Sequence, residues 1–359
     1  MGTTTGEGRR LLRRALKKAA EARPHPNPRV GALVMDPGGQ LVGTGVHQGP
    51  GSPHAETLAL DEAGSRAKGG TLITTLEPCV HSGRTPPCVD RITGAGVAAV
   101  VVGADDPDRR VSGRGRAVLE ELGIEVAGPL LTEEVEAADP AYFHHRRTGR
   151  PRFTLKAAVT LDGWTAARDG TSQWISGPAA RRDGHRLRAS ADGVMVGAGT
   201  LRADDPSLTV RLEGARTPQP PAVVVAGRAR LPAVRKLWER RPLVIAPQPT
   251  DVVPPDLQVI APGGDGLVDL ALAARALGER GLLEVLVEGG PRLAGGMWSA
   301  GLIDRGVFYM AARVAGGEGL PVMSGAFSTL SASRQAIIED VQKVGEDLRI
   351  EWRPRRESA

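Results

Sequence analysis

The chain has 359 residues, a length that is long for one domain and comfortable for two. Its net charge is +5, but no block of consecutive basic residues interleaved with aromatics appears, so nucleic-acid binding is the weaker interpretation and phosphorylated small molecules are the better match. No apolar stretch approaches the length of a membrane span, and two cysteines without a disulfide framework suit a reducing cytosol.

The N-terminal segment, residues 9–22, has the pattern of a basic amphipathic helix. Leu11, Leu12 and Ala15 fall on one face, whereas the basic residues lie largely off that stripe. A transit peptide or a membrane-surface helix can have this pattern. Because no apolar region or cleavage site follows, we predict the first helix of a domain, packed on a sheet.

Strands alternate with helices through the first half, which predicts a three-layer α/β domain. We predict strands at 30–35, 41–46, 71–76 and 97–102, and a helix at 113–122. Ser52 and Pro53 are the expected N-cap and first-turn proline of a helix that carries His54. Cys79 and Cys88 are each expected to open a helix, whose positive end would stabilise a thiolate.

The chemistry of this half concentrates in one His, one Glu and the two cysteines. His54 and Glu56 followed by Cys79 and Cys88 have the ligand pattern of a zinc-dependent deaminase. Three protein ligands would leave the fourth tetrahedral position for water, and Glu56 would carry protons rather than bind the metal. The alternatives are a structural zinc site, or two unrelated buried thiols with a surface histidine.

The second half begins after a polar, basic stretch at 139–151, which we interpret as a helix end and a linker. Strands are expected at 153–159, 193–196, 222–225, 243–246 and 284–287, with helices at 178–189, 267–280 and 291–300. Arg202 stands where a Rossmann fingerprint needs its third glycine, which argues against that fold. Gly289 and Gly290 follow a strand and open a helix, where backbone amides can cradle a pyrophosphate, although a tight turn is the simpler interpretation.

These motifs resemble a known family in both halves. Pro53-His54-Ala55-Glu56 and the run from Glu77-Pro78-Cys79 to Pro86-Pro87-Cys88 are similar to the deaminase half of the bifunctional riboflavin-biosynthesis deaminase/reductase. Leu155-Lys156-Ala157-Ala158 and Val287-Glu288-Gly289-Gly290 are similar to its reductase half. Asp139, where asparagine is common, and Ala312-Arg313, in place of a usual Pro-Lys pair, depart from the family pattern.

The resemblance implies an architecture and two activities. A cytidine-deaminase-like three-layer α/β domain at 1–147 would precede a dihydrofolate-reductase-like α/β domain at 148–359. Zinc-dependent hydrolytic deamination of 2,5-diamino-6-(5-phosphoribosylamino)pyrimidin-4(3H)-one would be followed by NADPH-dependent reduction to 5-amino-6-(5-phosphoribitylamino)uracil. The enzyme would be cytoplasmic and act on a phosphorylated pyrimidine, without nucleic-acid or membrane partners, and a homo-oligomer is compatible with this.

The resemblance also implies individual site residues. Glu56 and Lys156 would be catalytic, although Lys156 could also be structural, and zinc would be bound by His54, Cys79 and Cys88. NADPH would contact Ala158, Trp174, Thr200, Asp204, Gly227, Gly290, Pro291, Arg292, Leu293, Ala294, Gly295 and Gly296. Substrate would contact Asn27, His47, His81 and Arg84 in the first domain, and Ser172, Arg188, Leu208, Arg211 and Glu288 in the second.

Two other functional classes fit the sequence less well. A nucleic-acid base deaminase needs a basic single-strand channel with stacking aromatics, and few aromatics lie near the motif. A zinc-binding regulatory module would leave Glu56 without a role.

Overall fold

In the computed structural model the chain forms two compact units, Met1–Gly149 and Arg150–Ala359. The structure describes residues 5–80, 86–214, 219–325 and 328–355. The predicted substrate residues His81 and Arg84 lie outside these described ranges. Among the helices described, none combines the length and the apolar composition that crossing a membrane requires.

The first unit is built on a five-stranded mixed sheet. Its strands are β1 (Gly31–Met35), β2 (Leu41–Val46), β3 (Thr71–Leu76), β4 (Ala99–Ala104) and β5 (Glu125–Ala127). They lie in the order β2-β1-β3-β4-β5, where β3, β4 and β5 pair in parallel and β1 pairs antiparallel with both β2 and β3. The parallel pairing brings the carboxyl ends of β3 and β4 side by side, so residues that follow these two strands meet at one edge of the sheet.

Helices cover both faces of this sheet. They are α1 (Thr5–Ala19), α2 (Ala55–Ala63), α3 (Cys88–Ala95), α4 (Arg114–Glu121), α5 (Thr132–Ala138) and α6 (Pro140–Thr148). Helix α1 buries Leu11, Leu12 and Ala15, as expected for a first helix packed on the sheet.

Glycines make the helix–sheet contacts unusually close. A Cβ on Gly31 would lie 2.4 Å from the Ala15 carbonyl oxygen of α1. A Cβ on Gly45 would lie 1.9 Å from the Ala55 carbonyl oxygen of α2. Gly45 pairs with Ala32, and successive residues of a strand point to opposite faces, so α1 and α2 lie on opposite sides of the sheet. This is the predicted three-layer arrangement.

Three local predictions were wrong. Helix α2 begins at Ala55 with His54 as its N-cap, because the Ser52 hydroxyl bonds instead within the turn to Gly49. No helix begins at Cys79; the structure has irregular backbone there up to Val80. The stretch expected as a helix end and linker contains a whole helix, α6, because Asp139 caps it by accepting the Tyr142 N–H group.

The second unit is built on a nine-stranded sheet. The strands along the chain are β6 (Arg152–Val159), β7 (Trp164–Ala167), β8 (Gly193–Gly197), β9 (Ala222–Val225), β10 (Leu243–Ala246), β11 (Gln258–Ile260), β12 (Glu284–Val287), β13 (Arg305–Met310), β14 (Gly319–Pro321), β15 (Ala336–Val344) and β16 (Asp347–Pro354). The order is β11-β10-β9-β8-β12-β6-β13-β16-β15. The first seven strands are parallel and the last two antiparallel, while β7 and β14 form a separate two-stranded sheet.

The helices of this unit are α7 (Pro178–Ser190), α8 (Ala198–Asp204), α9 (Leu270–Glu279) and α10 (Pro291–Ser299). Both faces of the parallel strands are buried. Met195 packs in one apolar cluster with residues of α9 and α10, whereas its neighbours Val194 and Val196 pack in another with Leu201 of α8. This alternation explains the continuous apolar runs that identified these strands in the sequence.

An aromatic cluster fixes the antiparallel end of the sheet. The indole of Trp352 on β16 occupies the space beside Gly306, where a Cβ would come within 1.9 Å of the ring. Trp298 and Phe308 contact the same indole edge to face, with ring centroids at 5.8 and 5.3 Å. The sequence did not predict the β15–β16 hairpin. Most residues of β15 are exposed, and charged or polar residues interrupt its apolar ones.

The close approach of α2 to β2 gives a first prediction. Gly45→Ala is expected to lower the free energy of unfolding of the first unit by about 2 kcal/mol or more, because the added methyl overlaps a backbone carbonyl that cannot move alone. Hydrogen exchange of β3 and β4 amides in the full chain measures this, since peptide-level exchange separates the two units.

Gly94→Ala in α3 is the matched control, because an added Cβ there meets no atom within 4 Å. In the Gly94→Ala variant, the β3 and β4 amides should be as protected as in the wild type or more so, since alanine is the better helix residue by roughly 0.5–1 kcal/mol. Equal protection in the wild type and in Gly45→Ala would contradict the packing described.

Candidate functional site

His54, Cys79 and Cys88 meet in the first unit. Their ligand atoms all lie within 4.8 Å of one another. The His54 Nδ1 atom is 3.1 Å from the Cys88 Sγ atom and 3.6 Å from the Cys79 Sγ atom. One nitrogen and two sulfur donors at this spacing fit a tetrahedral zinc ion with one position left for a non-protein ligand.

Two helix N-termini point at this cluster. His54 is the N-cap of α2, and Cys88 is the first residue of α3. The Cys88 N–H group, which has no partner within its own helix, donates to the Cys79 Sγ atom at 3.4 Å. Hydrogen bonds from Cys88 and His54 lower the pKa of the Cys79 thiol, the direction that favours the metal-binding thiolate.

Glu56 lies in the first turn of α2 and is only 4% exposed. Burial raises its pKa to about 7, against the opposing charge of His54. The Thr74 hydroxyl on β3 is 3.5 Å from its Oε1 atom. A carboxyl group with a pKa near neutrality can both accept and return a proton, which is the property that a general acid–base catalyst needs.

Asn27 and His47, predicted to bind substrate, lie beside the cluster. The His47 ring stands edge-on to the His54 ring with centroids 5.3 Å apart. Its Nδ1 donates to the Pro53 carbonyl oxygen at 3.0 Å, and its Nε2 is 2.9 Å from the Asn27 amide nitrogen. Burial lowers the pKa of His47, so a neutral ring with a fixed tautomer faces the site.

Asp106 is a buried carboxylic acid at the same edge of the sheet, after β4. Burial raises its pKa to about 6, although the Asp108 N–H and the Tyr142 hydroxyl both donate to it.

Asp139, where the family commonly has asparagine, also has a structural role. Its carboxylate accepts the Arg29 N–H group at 2.8 Å and lies 2.9 Å from the His25 ring nitrogen.

In the second unit three predicted residues meet at the carboxyl ends of the parallel strands. Arg188 of α7 makes a two-pronged contact to Glu288, at 2.5 and 2.9 Å. The Lys156 Nζ atom is 3.8 Å from the same carboxylate. Burial alone would raise the pKa of Glu288, but the Lys156 charge and the Arg188 hydrogen bonds hold it at about 2. Glu288 is therefore an ionised counter-ion for both cations.

Beneath Lys156 lies a second polar contact that sequence reasoning missed. The ammonium is 5.9 Å from the centre of the Tyr309 ring, and the Tyr309 hydroxyl donates to Asp183 at 2.7 Å. The Asp183 carboxylate also forms an ion pair with Arg349, whose Nε atom is 3.0 Å away. One tyrosine in an apolar strand gave no signal of this role, because its partners are 126 and 40 residues away.

Two predicted cofactor residues are joined directly. The Gly290 N–H group, at the N-cap of α10, donates to the Thr200 hydroxyl at 3.0 Å. Nearby strand ends are open, since a Cβ on Gly199 or Gly227 would meet no atom within 4 Å. An open strand-end surface beside the amino terminus of a nine-residue helix fits the phosphates of a dinucleotide.

A cavity of about 330 Å³ is lined in part by residues that were predicted to bind substrate or cofactor. Ser172 and Trp174 line it, together with Thr160, Arg313 and Glu318. The indole of Trp174 is 58% exposed and lies under the Arg181 guanidinium at 4.6 Å. An exposed indole at the mouth of a cavity offers a flat stacking surface.

The remaining predicted residues lie partly in the core and partly at the surface. The side chains of Leu208, Leu293 and Ala294 belong to the hydrophobic core. A Cβ on Gly295 would lie 1.8 Å from the Ser324 carbonyl oxygen, so this glycine serves helix packing. Arg211 and Asp204 are exposed, and Arg211 reaches the Ser207 hydroxyl at 3.3 Å.

Comparisons with known proteins cover both units. Residues 151–350 match the family model described as the RibD C-terminal domain. Residues 6–104 match the cytidine and deoxycytidylate deaminase zinc-binding region. The riboflavin biosynthesis protein RibD of Escherichia coli is 37% identical, over 94% of this chain and 96% of that protein. The chain belongs to the RibD family.

Solved structures of this family agree with that assignment. RibD of Acinetobacter baumannii superposes with a TM-score of 0.88 at 32% identity, over 98% of this chain and 99% of its own. The deaminase/reductase of Thermotoga maritima superposes with a TM-score of 0.86 at 33% identity, over 98% of this chain and 99% of its own.

Membership of the RibD family confirms the predicted fold class and the predicted function. The chain is a bifunctional riboflavin-biosynthesis enzyme, with a cytidine-deaminase-like zinc domain and a reductase domain. Its cofactors are zinc, for which the His54, Cys79 and Cys88 cluster provides fitting donors, and NADPH, which the RibD reductase domain implies.

The three-donor cluster predicts the behaviour of cysteine variants. Cys79→Ser and Cys88→Ser should each lose the zinc, about one ion per chain, because a hydroxyl replaces a thiolate ligand. Metal analysis of the dialysed protein measures the loss, with circular dichroism to check folding. Unchanged zinc content in either folded variant would contradict the ligand set.

The buried acid Asp106 predicts a dependence of stability on pH. Its pKa is raised in the folded chain, so its contribution to stability is complete below pH 4 and is lost as pH rises through about 6. Asp106→Asn keeps one oxygen for both donors, since the Tyr142 hydroxyl and the Asp108 N–H already share Oδ1. The variant should be more stable than the wild type at pH 7, by on the order of 2 kcal/mol.

The two proteins should differ little at pH 4. Hydrogen exchange of β4 amides, with rates corrected for intrinsic pH effects and with chelator present throughout, compares them at both pH values. Stability curves that stay parallel from pH 4 to pH 7 would show that Asp106 is not the titrating group.

Proposed function

We propose that residues 1–147 deaminate 2,5-diamino-6-(5-phosphoribosylamino)pyrimidin-4(3H)-one. We further propose that residues 148–359 reduce the product with NADPH to 5-amino-6-(5-phosphoribitylamino)uracil. The observation that carries the proposal is the buried carboxyl group of Glu56, in the first turn of the helix that His54 caps, beside three zinc-type donors. The Thermotoga maritima relative bears the matching names, a diaminohydroxyphosphoribosylaminopyrimidine deaminase and a 5-amino-6-(5-phosphoribosylamino)uracil reductase.

In the first site zinc, when bound, supplies Lewis acidity toward a water molecule in the position that the three protein ligands leave open. Glu56 would take one proton from that water and pass it to the ring nitrogen. It would then carry the second proton, from the new hydroxyl group on the ring carbon, to the amine that leaves as ammonia. Asn27 and His47 border the pyrimidine, where the neutral imidazole avoids adding a charge beside the metal. His81 and Arg84 complete the proposed substrate set.

In the second site NADPH would supply a hydride to C1′ of the ribose, while the bond from C1′ to the ring oxygen breaks and that oxygen takes up a proton. Lys156 would stabilise the negative charge that develops on the sugar oxygen. The ionised Glu288 carboxylate holds the Lys156 ammonium near the strand ends. Arg188 and Arg211 orient the phosphate, and Ser172 with the backbone of Leu208 borders the sugar. Arg188 is held by Glu288 and by the Thr209 carbonyl oxygen, so it reaches the phosphate from a fixed position.

The proposed cofactor surface runs along the strand ends of the second unit. Thr200 and Gly290, already hydrogen bonded, would border the phosphates at the start of α10, with Pro291, Arg292 and Gly296 near them. Ala158, Trp174, Asp204 and Gly227 would border the rest of the dinucleotide. Leu293, Ala294 and Gly295 would act through the helix that they pack.

The same chemistry sets the expected partners and compartment. A phosphorylated pyrimidine needs a few arginines rather than a basic channel, so we propose a small-molecule substrate and no nucleic-acid or membrane partner. Two unpaired cysteines in the cluster suit the cytoplasm.

Glu56→Gln tests the proton carrier of the first site. Zinc should stay bound, while ammonia release from the diaminopyrimidine falls by roughly 10²-fold or more, because the amide cannot carry a proton. Reduction of substrate that is already deaminated should continue. The exposed Glu62→Gln, on the same helix, is the control and should deaminate normally. Near-normal ammonia release by Glu56→Gln would require another base.

Arg211→Ala tests the second site. Loss of an exposed guanidinium that contacts phosphate should raise the reductase KM for the sugar phosphate and spare ammonia release. Arg241→Ala, also exposed and paired only loosely with Asp256 at 3.6 Å, is the matched control. If Arg211→Ala lost deamination and Glu56→Gln lost reduction to the same degree, one composite site would replace the two proposed here.

A further inference from the structure

Glu77 is a buried carboxylate that none of the roles above uses. It follows β3 directly, precedes Pro78 and Cys79, and is 3% exposed. Its own N–H group donates to the Ala104 carbonyl oxygen at 3.0 Å, which extends the pairing of β3 with β4. Its side chain therefore leaves the sheet at the edge where the chain turns toward the metal cluster.

Four main-chain N–H groups converge on this carboxylate. Oε1 accepts from Gly115 at 2.9 Å and from Arg116 at 3.3 Å. Oε2 accepts from Gly113 at 2.8 Å and from Asp106 at 3.3 Å. Each oxygen thus accepts two main-chain N–H groups, so both oxygens of the side chain are used as acceptors.

Three of these donors belong to the start of α4, where Gly113 is the N-cap without a side-chain capping bond. The first N–H groups of a helix have no partner inside it. Glu77 supplies the missing cap from a distant part of the chain and meets the positive end of the helix.

Helix α4 also packs closely against Glu77 and Pro78, the two residues before Cys79. A Cβ on Gly115 would lie 2.0 Å from the Pro78 carbonyl oxygen and 3.1 Å from the Glu77 Cγ atom. The peptide that carries Cys79 is therefore held on one side by the first turn of α4. On the other side the Cys79 carbonyl oxygen accepts the Val89 N–H, at 3.3 Å, from α3.

We propose that Glu77 is a positioning residue for the metal site: by capping α4 from outside, it fixes Cys79 at the distance from His54 and Cys88 that zinc requires. This inference rests on the proposed zinc ligands. It adds that the affinity for zinc depends on a carboxylate that does not touch the metal. Partners that orient metal ligands typically change metal affinity by about 10–100-fold when replaced.

Glu77→Gln is the decisive variant. Whichever way the amide turns, its NH2 group faces two N–H donors, so two main-chain groups lose their acceptor. The folded full-length protein should bind zinc at least roughly ten-fold more weakly in competition with a chelator of known affinity. With cobalt in place of zinc, the thiolate-to-cobalt absorption should shift or weaken, which a merely stabilising cap would not cause.

Glu62→Gln is the matched control. The Glu62 carboxylate accepts the Thr44 N–H and hydroxyl with the single atom Oε2, so a glutamine oxygen can keep both bonds. Its zinc affinity and cobalt spectrum should equal those of the wild type. Glu77→Asp keeps both oxygens on a shorter side chain and should fall between the wild type and Glu77→Gln.

The outcomes separate this inference from the assignment on which it rests. If Cys79→Ser retains zinc, the ligand set is wrong. If Cys79→Ser loses zinc while folded Glu77→Gln binds it with wild-type affinity and spectrum, the positioning role is overturned and Glu77 is only a helix cap. Should Glu77→Gln fail to fold, Glu77→Asp carries the test, and wild-type zinc affinity in that variant overturns the proposal.

Discussion

Three ligand atoms from residues 54, 79 and 88 must come within 4.8 Å of one another, and the first unit is arranged around that requirement. Each residue stands where regular structure begins or stops: at the cap of α2, just after β3, and at the first residue of α3. Main-chain N–H groups that a helix leaves unpaired are available at such places. The same geometry that positions the Cys79 sulfur therefore also stabilises its negative charge.

The second unit solves a different electrostatic problem. Its strand ends bring Lys156 and Arg188 to one buried carboxylate, Glu288, so both cations are paired before any ligand binds. Burying Arg188 alone would be costly, and the two-pronged contact to Glu288 removes that cost while fixing the guanidinium in one orientation. Orientation is thus present before any substrate arrives.

Sequence reasoning worked best where one physical signal dominated. Buried parallel strands such as 222–225, 243–246 and 284–287 were predicted with the bounds that the structure gives, because both faces demand apolar residues. The cluster of His54, Cys79 and Cys88 was predicted because metal ligation restricts residue types. Helix starts were less certain, since Ser52, Asp139 and Asp269 are all good caps and only tertiary contacts choose among candidates. The burial of the Leu208 side chain was not predictable, because it depends on neighbours distant in sequence.

The contact between α2 and β2 is made by backbone against backbone, because Gly43 and Gly45 provide no side-chain layer. A helix seated in this way takes its depth from two main chains, which hardly change as a protein's sequence drifts. Substitutions elsewhere in the core can alter side-chain volumes without shifting the helix that carries His54 and Glu56. As a consequence, positions 43 and 45 have no room for a larger side chain. Directed evolution of this domain for new pyrimidines should therefore find freedom around the pocket wall and almost none in these glycines.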